Sequence, residues 1–282
     1  MIQRFAAEFP IKGLCRALEV QRSAYYQWRK GVPAKRAQAN GLLLEHIEKT
    51  FKASRQAYGS PRITRQLHRQ NIPCGENRVA RLMKRHQIQA KRKRPFRPRT
   101  THSRQGEPVA PNLLKQITPV KPNQVWVADI TYLWTAAAGW VYLAAVMDLW
   151  SRKIVGWSIS FSMETILVKE ALKQALAVRR PACGLLHHSD RGIQYTSSAF
   201  RALLHDYQII PSMSAKGNCY DNAAMEAFWS TLKTELGSNF QDIASARLAI
   251  FDYIERFYNR QRLHSALGFQ SPAEFERELN CK

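Results

Sequence analysis

The chain has 282 residues, 45% of them hydrophobic and 10% aromatic, which excludes wholesale disorder and predicts about two domains. It has no C-x-x-C pair, no signal-peptide pattern and no clean apolar run longer than residues 141–147, which argues against a secreted, disulfide-stabilised or membrane-spanning protein and favours a cytoplasmic one. Residues 1–110 carry 25 Lys and Arg against 6 Asp and Glu, which supplies +19 of the net charge of +22 and predicts a polyanionic partner.

Two short helices with a turn between them are predicted near the N-terminus, over residues 11–18 and 23–28. Ser23 is the expected N-cap of the second helix. This is the outline of a helix-turn-helix, although a plain helical hairpin would give the same pattern. Helical pairs within the basic part favour nucleic acid over an anionic membrane as the partner. On charge alone, binding to RNA or the ribosome stays open.

Three further helices are predicted over residues 42–51, 62–70 and 77–86, and Ser60 before Pro61 is expected to cap the second. Each helix has one apolar face. The basic side chains of the second and third helices lie on the opposite faces, as in a domain that reads the major groove. We therefore predict that DNA is bound by Arg62, Arg78, Arg81, Lys84 and Arg85. A solvated basic surface on a structural bundle is the simpler alternative.

A basic, proline-containing linker is predicted over residues 91–118. Its first four residues, Lys91, Arg92, Lys93 and Arg94, are all cationic and are expected to lie along DNA phosphates. A flexible connector without a binding role would have the same composition.

Strand patterns begin after residue 119. Apolar segments at 124–134, 140–147 and 154–160 predict three strands, and a helix (166–178), a strand (185–189), a helix (200–207) and a strand (209–212) follow. The first strand is apolar on both faces, as expected of a buried central strand. This order of elements predicts an α/β fold and matches a ribonuclease-H-like sheet, although order alone fits other α/β folds.

Three carboxylates have unusual surroundings. Asp129 interrupts the buried strand, where an unpaired carboxylate is costly. Asp190 ends the short strand before a glycine-containing turn, and Glu226 lies on a helix whose expected cap is Asp221 or Asn222. Lys233 lies seven residues after Glu226, so both side chains point the same way, roughly 10 Å apart along the helix axis.

Three converging carboxylates would repel one another unless a cation compensates. Oxygen ligands without a histidine or cysteine shell suit Mg²⁺ or Mn²⁺ better than zinc, and two such ions can promote phosphodiester chemistry. Lys233 could then hold a phosphate. Taken singly, each acid has an ordinary explanation as a capping, turn-forming or solvated residue. His187 and His188 are expected to be structural or to face DNA rather than to bind metal.

Several long motifs resemble the OrfB-type transposases of the IS3 family of bacterial insertion sequences. They are PNQVWVADITY at 122–132, DLWSRKIVGW at 148–157, HHSDRG at 187–192 and the stretch 212–233, with YGSPR at 58–62, FYNR at 257–260 and HSALG at 264–268. Thirty-five residues separate Asp190 from Glu226, as in retroviral-integrase-like enzymes. Gln87 and Trp229 stand where the family usually has glycine and phenylalanine, and neither is expected to touch the acids.

The resemblance implies a ribonuclease-H-like integrase core at 119–236, preceded by helix-turn-helix-type segments at 1–40 and 41–90 and followed by a helical extension at 237–282. It implies that Asp129, Asp190 and Glu226 bind two Mg²⁺ or Mn²⁺ ions and that Lys233 contacts the end of the element. The partners implied are double-stranded DNA, further copies of the chain and a protein or fusion from an upstream reading frame, in the bacterial cytoplasm at the nucleoid. A catalytically silent DNA-binding regulator and a ribonuclease-H-like nuclease are the alternatives.

Overall fold

The computed structural model describes residues 1–31, 35–91, 109–214 and 222–279. Their contacts divide the chain into two compact units, Met1–Ala90 and Lys91–Lys282. Three of the cationic linker residues, Arg92, Lys93 and Arg94, lie outside the described residues, so their contact with DNA stays a prediction. The finer division into five parts also stays a prediction.

The first unit is helical throughout its described part. Its helices are α1 (Ile2–Phe5), α2 (Ile11–Ala17), α3 (Arg22–Arg29), α4 (Lys35–Ala53), α5 (Ser60–Arg69) and α6 (Glu76–Arg85). Ile2, Cys15 and Tyr25 form a small core among the first three helices. The last three helices contact one another and bury the apolar stripes that the sequence predicts, which include Ile63 and Val79. The predicted all-α architecture of this region is therefore confirmed.

The two predicted serine caps in this unit are wrong. Gln21 and Gly59 occupy the N-cap positions of α3 and α5, and neither makes a side-chain capping bond. Ser23 and Ser60 already lie within the helices, because each helix begins earlier than its hydroxyl residue suggests. Pro61 is tolerated in the first turn of α5, where its missing N–H has no helical partner to lose.

The second unit is built on a six-stranded mixed sheet. Its strands are β1 (Val125–Thr135), β2 (Gly139–Asp148), β3 (Ile154–Ser160), β4 (Leu186–Ser189), β5 (Ile210–Met213) and β6 (Asn239–Phe240). The order is β3-β2-β1-β4-β5, with β6 paired to the far end of β1. The first three strands are antiparallel, whereas β4 and β5 run parallel to β1. The predicted α/β order is confirmed.

Helices cover the sheet and fix the two faces of β1. α7 (Thr165–Arg179) and α9 (Ser198–Asp206) form a core with Trp126 and Ala128 on one face. α7 packs so closely on β3 that a Cβ placed on Gly156 would lie 2.2 Å from the carbonyl oxygen of Ala171. Asp129 alternates with Ala128 along the strand, so it belongs to the opposite face.

A short helix, α8 (Ile193–Thr196), packs with α7 and α9 on the same face of the sheet. The described elements after β5 also include α10 (Ala223–Glu235), α11 (Ile243–Phe251), a π-helical segment (Asp252–Tyr258), a 3₁₀ turn (Ser265–Leu267) and α12 (Pro272–Leu279). The predicted cap of α10 is half right: Asn222 is its N-cap residue but makes no side-chain capping bond. Among the described residues, no helix is both long and apolar enough to cross a membrane.

One buried and one half-buried ionic contact attach the C-terminal elements. Arg262 binds the carboxylate of Glu235, at the end of α10, through two nitrogens, with Nη2 lying 2.6 Å from Oε1. Tyr253 adds a hydroxyl donor to the same carboxylate at 2.8 Å. In the second contact, Glu276 of α12 accepts two hydrogen bonds from Arg179 of α7. These contacts join segments that no local sequence pattern connects.

Candidate active site

The parallel pairing of β1 with β4 brings Asp129 and Asp190 close together. Val127 of β1 is in register with His188 of β4, and Asp129 and Asp190 each lie two residues beyond that pair. Neighbouring strands are about 4.8 Å apart, so the two carboxylates arise side by side at the end of β4. The sequence predicted a site at this strand end, but it gave no register between the two strands.

Burial and like charge disfavour the ionised form of Asp129. Burial, followed by the charge of Asp190 and more weakly that of Glu226, raises the pKa of Asp129 to about 7. Two N–H donors oppose this shift, the backbone amide of Ile130 and the indole of Trp229. The indole Nε1 lies 3.0 Å from Oδ2 of Asp129. Asp129 therefore lies in a cluster of negative charge that its hydrogen bonds only partly offset.

The turn after β4 shapes the surroundings of Asp190. Burial raises the pKa of Asp190, and the backbone N–H of Gly192 lowers it by donating to Oδ1 at 3.0 Å. A Cβ on Gly192 would lie 3.0 Å from both Oδ1 of Asp190 and Oε1 of Gln194. Glycine thus leaves room for the turn to close around the carboxylate.

Glu226 stands further from the pair. It lies in the first turn of α10 and is exposed, and its charge is the weakest of those that raise the pKa of Asp129. Asn222, just before α10, donates its amide to the carbonyl of Ala128 at 3.3 Å, which places the start of this helix beside β1. Within residues 1–31, 35–91, 109–214 and 222–279, no group of three His, Cys, Asp or Glu side chains is arranged to hold a metal ion.

Lys233 lies beside the same strand. Its Nζ is 4.5 Å from the centre of the Tyr132 ring, and its side chain is partly buried. Burial lowers the pKa of Lys233, while the charge of Asp129 raises it. Lys233 and Glu226 thus both act electrostatically on Asp129, in agreement with their seven-residue spacing on one helix.

Trp229 corrects an expectation from the sequence. It was expected not to touch the acids, yet it donates directly to Asp129. The reason is that the apolar stripe of α10, which includes Trp229, packs towards β1, so its polar N–H reaches the one carboxylate on that strand. Its hydrophobic surroundings in the sequence had marked it only as a core residue.

The histidines before Asp190 are structural. His188 is fully buried between the hydroxyls of Ser212 and Ser214, at 2.9 and 3.0 Å. His187 packs against Tyr195, and burial lowers its pKa to about 3, so it is neutral at pH 7. Tyr195 itself was not singled out from the sequence. Its buried hydroxyl has no hydrogen-bond partner among the described residues, and burial and the charges of Asp129 and Asp190 raise its pKa.

The predicted DNA-binding cations differ in exposure. Arg81, Lys84 and Arg85 are exposed on α6. Arg78 is half-buried and donates to Oδ1 of Asn40 at 2.8 Å, whereas Arg62 is half-buried over the Tyr58 ring. Lys91 is exposed and donates from Nζ to the carbonyl of Glu235 at 2.8 Å. Among the described candidates, the three side chains of α6 and Lys91 are thus exposed, and Lys91 is held by a hydrogen bond to the core.

The chain matches models of two kinds of domain. Two models described as "Integrase core domain" match residues 119–219 and 207–272, and one described as "HTH-like domain" matches residues 38–96. The integrase-core architecture and the helix-turn-helix-like region expected from the sequence are thereby confirmed.

Similar proteins extend over nearly the whole chain. Transposase InsF for insertion sequence IS3A of Escherichia coli strain K12 is 42% identical over 280 residues, which cover 98% of this chain and 96% of that protein. The 31 kDa protein of insertion element IS600 from Shigella sonnei is 44% identical over 270 residues, covering 95% and 98%. A solved structure of the HTLV-2 integrase catalytic core domain in complex with magnesium has a TM-score of 0.45 at 16% identity, covering 56% of this chain and 99% of that one.

Because the pKa of Asp129 is raised, replacing this residue by a neutral one should stabilise the protein in a pH-dependent way. Between an unfolded pKa near 3.8 and a folded pKa near 7, the folded state binds more protons, so Asp129 lowers stability as pH rises through this window. We expect Asp129→Asn to unfold at higher denaturant concentration at pH 8 without divalent cations, by about 1–3 kcal/mol. The difference should shrink towards pH 4. Urea titrations at both pH values measure it, and a gain independent of pH would contradict the assignment.

Removing the indole N–H of Trp229 should have the opposite effect to replacing Asp129, namely a loss of stability that depends on pH. Trp229→Phe keeps an aromatic ring but removes the N–H that stabilises the ionised Asp129, so it should destabilise the protein more at pH 8 than at pH 5. The difference between the two pH values should be about 1–2 kcal/mol, because the packing change is the same at both. In an Asp129→Asn background the pH-dependent part should vanish. If it persists there, the indole acts on another group.

Proposed function

The chain belongs to the IS3-family transposases, and we propose that it cuts and joins DNA strands at a centre formed by Asp129, Asp190 and Glu226. The observation that carries the proposal is the pairing of β1 with β4, which sets two buried carboxylates of raised pKa side by side. A structural role would be served better by neutral or paired side chains. Perturbed carboxylates at a strand end are instead typical of a reaction centre.

We assign Mg²⁺ or Mn²⁺ to this centre, as two ions. The donors available are carboxylate oxygens, and the mutual repulsion that raises the pKa of Asp129 is what a divalent cation would relieve. Asp129 and Asp190 would hold the ions, with Glu226 as the third ligand from α10. When bound, such ions activate the attacking oxygen and stabilise the leaving oxygen of a phosphodiester.

The chain's own side chains would position the reactants. Trp229 donates to Oδ2 of Asp129, and the backbone N–H of Gly192 donates to Oδ1 of Asp190, so hydrogen bonds fix the orientation of both carboxylates. Lys233 is a partly buried cation beside β1 and would hold a DNA phosphate as a point charge. Water would cleave a phosphodiester at the element end and free its 3′-hydroxyl. This hydroxyl would then attack a second phosphodiester and displace the 3′-oxygen there, without a covalent enzyme intermediate.

The partners follow from the same proposal. The exposed cations of α6 would bind double-stranded DNA at the element ends, with Arg62, Arg78 and the linker residues Lys91–Arg94 as further contacts. Acting on two ends of an element and on a target calls for more than one copy of the chain. We also propose an upstream-frame protein or fusion as a partner, and action on nucleoid DNA in the bacterial cytoplasm.

Loss of single carboxylates should separate catalysis from binding. Asp190→Asn and Glu226→Gln should each lower strand transfer on labelled element-end DNA by at least about 100-fold with Mg²⁺, because each removes a ligand charge. Affinity for the same DNA should stay within about twofold, since neither change removes a cation. Glu170→Gln is the matched control, because Glu170 is exposed on α7 and pairs with Lys173 across one turn of the same helix.

The outcomes distinguish the alternatives. An active Asp190→Asn protein would refute the assigned centre. Cleavage without joining by the native chain would favour a nuclease, and binding without any chemistry, even after the upstream partner is added, would favour a regulator.

The exposed face of α6 predicts salt-dependent DNA binding. Arg81→Gln and Arg85→Gln should each weaken binding to an element-end duplex several-fold at 150 mM salt. Each should also reduce the slope of log affinity against log salt by about one if it removes one phosphate contact. Lys52→Gln removes the same charge from α4 and serves as the control. Equal losses in all three variants would indicate a general charge effect rather than a binding face.

A further inference from the structure

Three aromatic side chains form a patch on the outer half of the β1–β2 hairpin. Trp134 and Trp140 face each other across the antiparallel pair, and Tyr132 lies on the same face of β1. The ring of Trp140 meets those of Tyr132 and Trp134 edge to face, at 4.9 and 5.0 Å between centroids. We call Tyr132, Trp134 and Trp140 the aromatic patch.

The aromatic patch is ordered but open to solvent. Trp134 is 41% exposed and Trp140 is 50% exposed, so neither ring is part of the packed core. Their edge-to-face contacts and the strand pairing nevertheless hold the rings in place. Two adjacent exposed tryptophans held rigidly are suited to contact another molecule.

The aromatic patch adjoins the candidate active site. Tyr132 follows Asp129 by three residues on β1, roughly 10 Å at 3.3 Å per residue, so its side chain leaves the strand on the face opposite to the Asp129 carboxylate. The link between the patch and the acids is Lys233 of α10, whose charge interacts with that of Asp129. The Nζ of Lys233 lies 4.5 Å from the Tyr132 ring and connects the patch to the acids through a positive charge. A polyanion bound by Lys233 would therefore pass next to the exposed rings.

We propose that the aromatic patch stacks on unpaired bases of the DNA strand beside the cut. This rests on the proposed function, since it requires DNA at the carboxylates. Aromatic side chains bind nucleobases through their π-faces, and those faces are covered by stacking inside an intact duplex. The patch would thus hold frayed or single-stranded nucleotides, while Lys233 holds the phosphate between them and the acids.

Charge selects DNA over an apolar protein segment as the occupant. The cation at the edge of the patch is Lys233, whose Nζ lies 4.5 Å from the centre of the Tyr132 ring. A purely apolar partner would remove further water from this partly buried cation without offering it an acceptor in return. A nucleic acid strand offers both a phosphate and a flat base at successive positions.

The test compares two DNAs and two substitutions, without requiring catalysis. Trp140→Ala should weaken binding to an element-end duplex carrying a three-nucleotide single-stranded overhang by roughly fivefold or more, with little change for the blunt duplex. Trp140→Tyr should retain most of the overhang affinity. With 2-aminopurine in the overhang, the native chain should quench its fluorescence on binding, and Trp140→Ala should quench it less.

A control residue and the contrary outcomes complete the design. Leu248→Ala removes an apolar side chain that is 71% exposed on α11 and should change neither affinity. Equal overhang affinity and equal quenching in the native chain and Trp140→Ala would overturn the inference while leaving the proposed function intact. An equal loss on blunt and overhang DNA would also overturn it. Failure of the native chain to bind either DNA would contradict the proposed function as well.

Discussion

The hydrogen bond from Trp229 to Asp129 is the contact on which the candidate site depends, because it locks α10 onto β1. At the start of the helix, Asn222 donates to the carbonyl before Asp129. At its end, Glu235 is held by Arg262 in a buried ion pair. A helix fixed at its start, middle and end has little freedom to slide, so Glu226 and Lys233 keep their positions relative to the strand. Removing one partner of the buried pair would leave an uncompensated charge, which typically costs about 3–5 kcal/mol.

These contacts show why the elements could be predicted and the site only in part. Strands and helices follow from alternation and from apolar stripes, which are local patterns, and most predicted elements agree with the structure to within a few residues. The acids also stood out locally, because Asp129 interrupts an apolar strand. The contact between Trp229 and Asp129, however, spans 100 residues of sequence, and no local pattern around either residue predicts it.

Local sequence patterns also fail to show which Lys and Arg side chains are buried and which are exposed. Lys and Arg look alike in composition, but the structure uses some of them to hold the fold and exposes others. Arg262 and Arg179 are nearly buried and bind carboxylates, whereas Arg81 and Arg85 face solvent on α6. Arg62 and Arg78 were grouped with the exposed cations by helical periodicity alone, and their partial burial depends on neighbours that periodicity does not specify.

The acids themselves are held at a cost to the fold. Burial raises the pKa of both Asp129 and Asp190, and like charge raises that of Asp129 further; one indole N–H and two backbone N–H groups offset only part of these shifts. A sequence under selection for stability alone would replace one carboxylate by an amide, which would keep the hydrogen bonds and lose the repulsion. A divalent cation held by these carboxylates, as we propose, would relieve that repulsion. The proposed metal centre thus accounts for a carboxylate pair that stability alone would not favour.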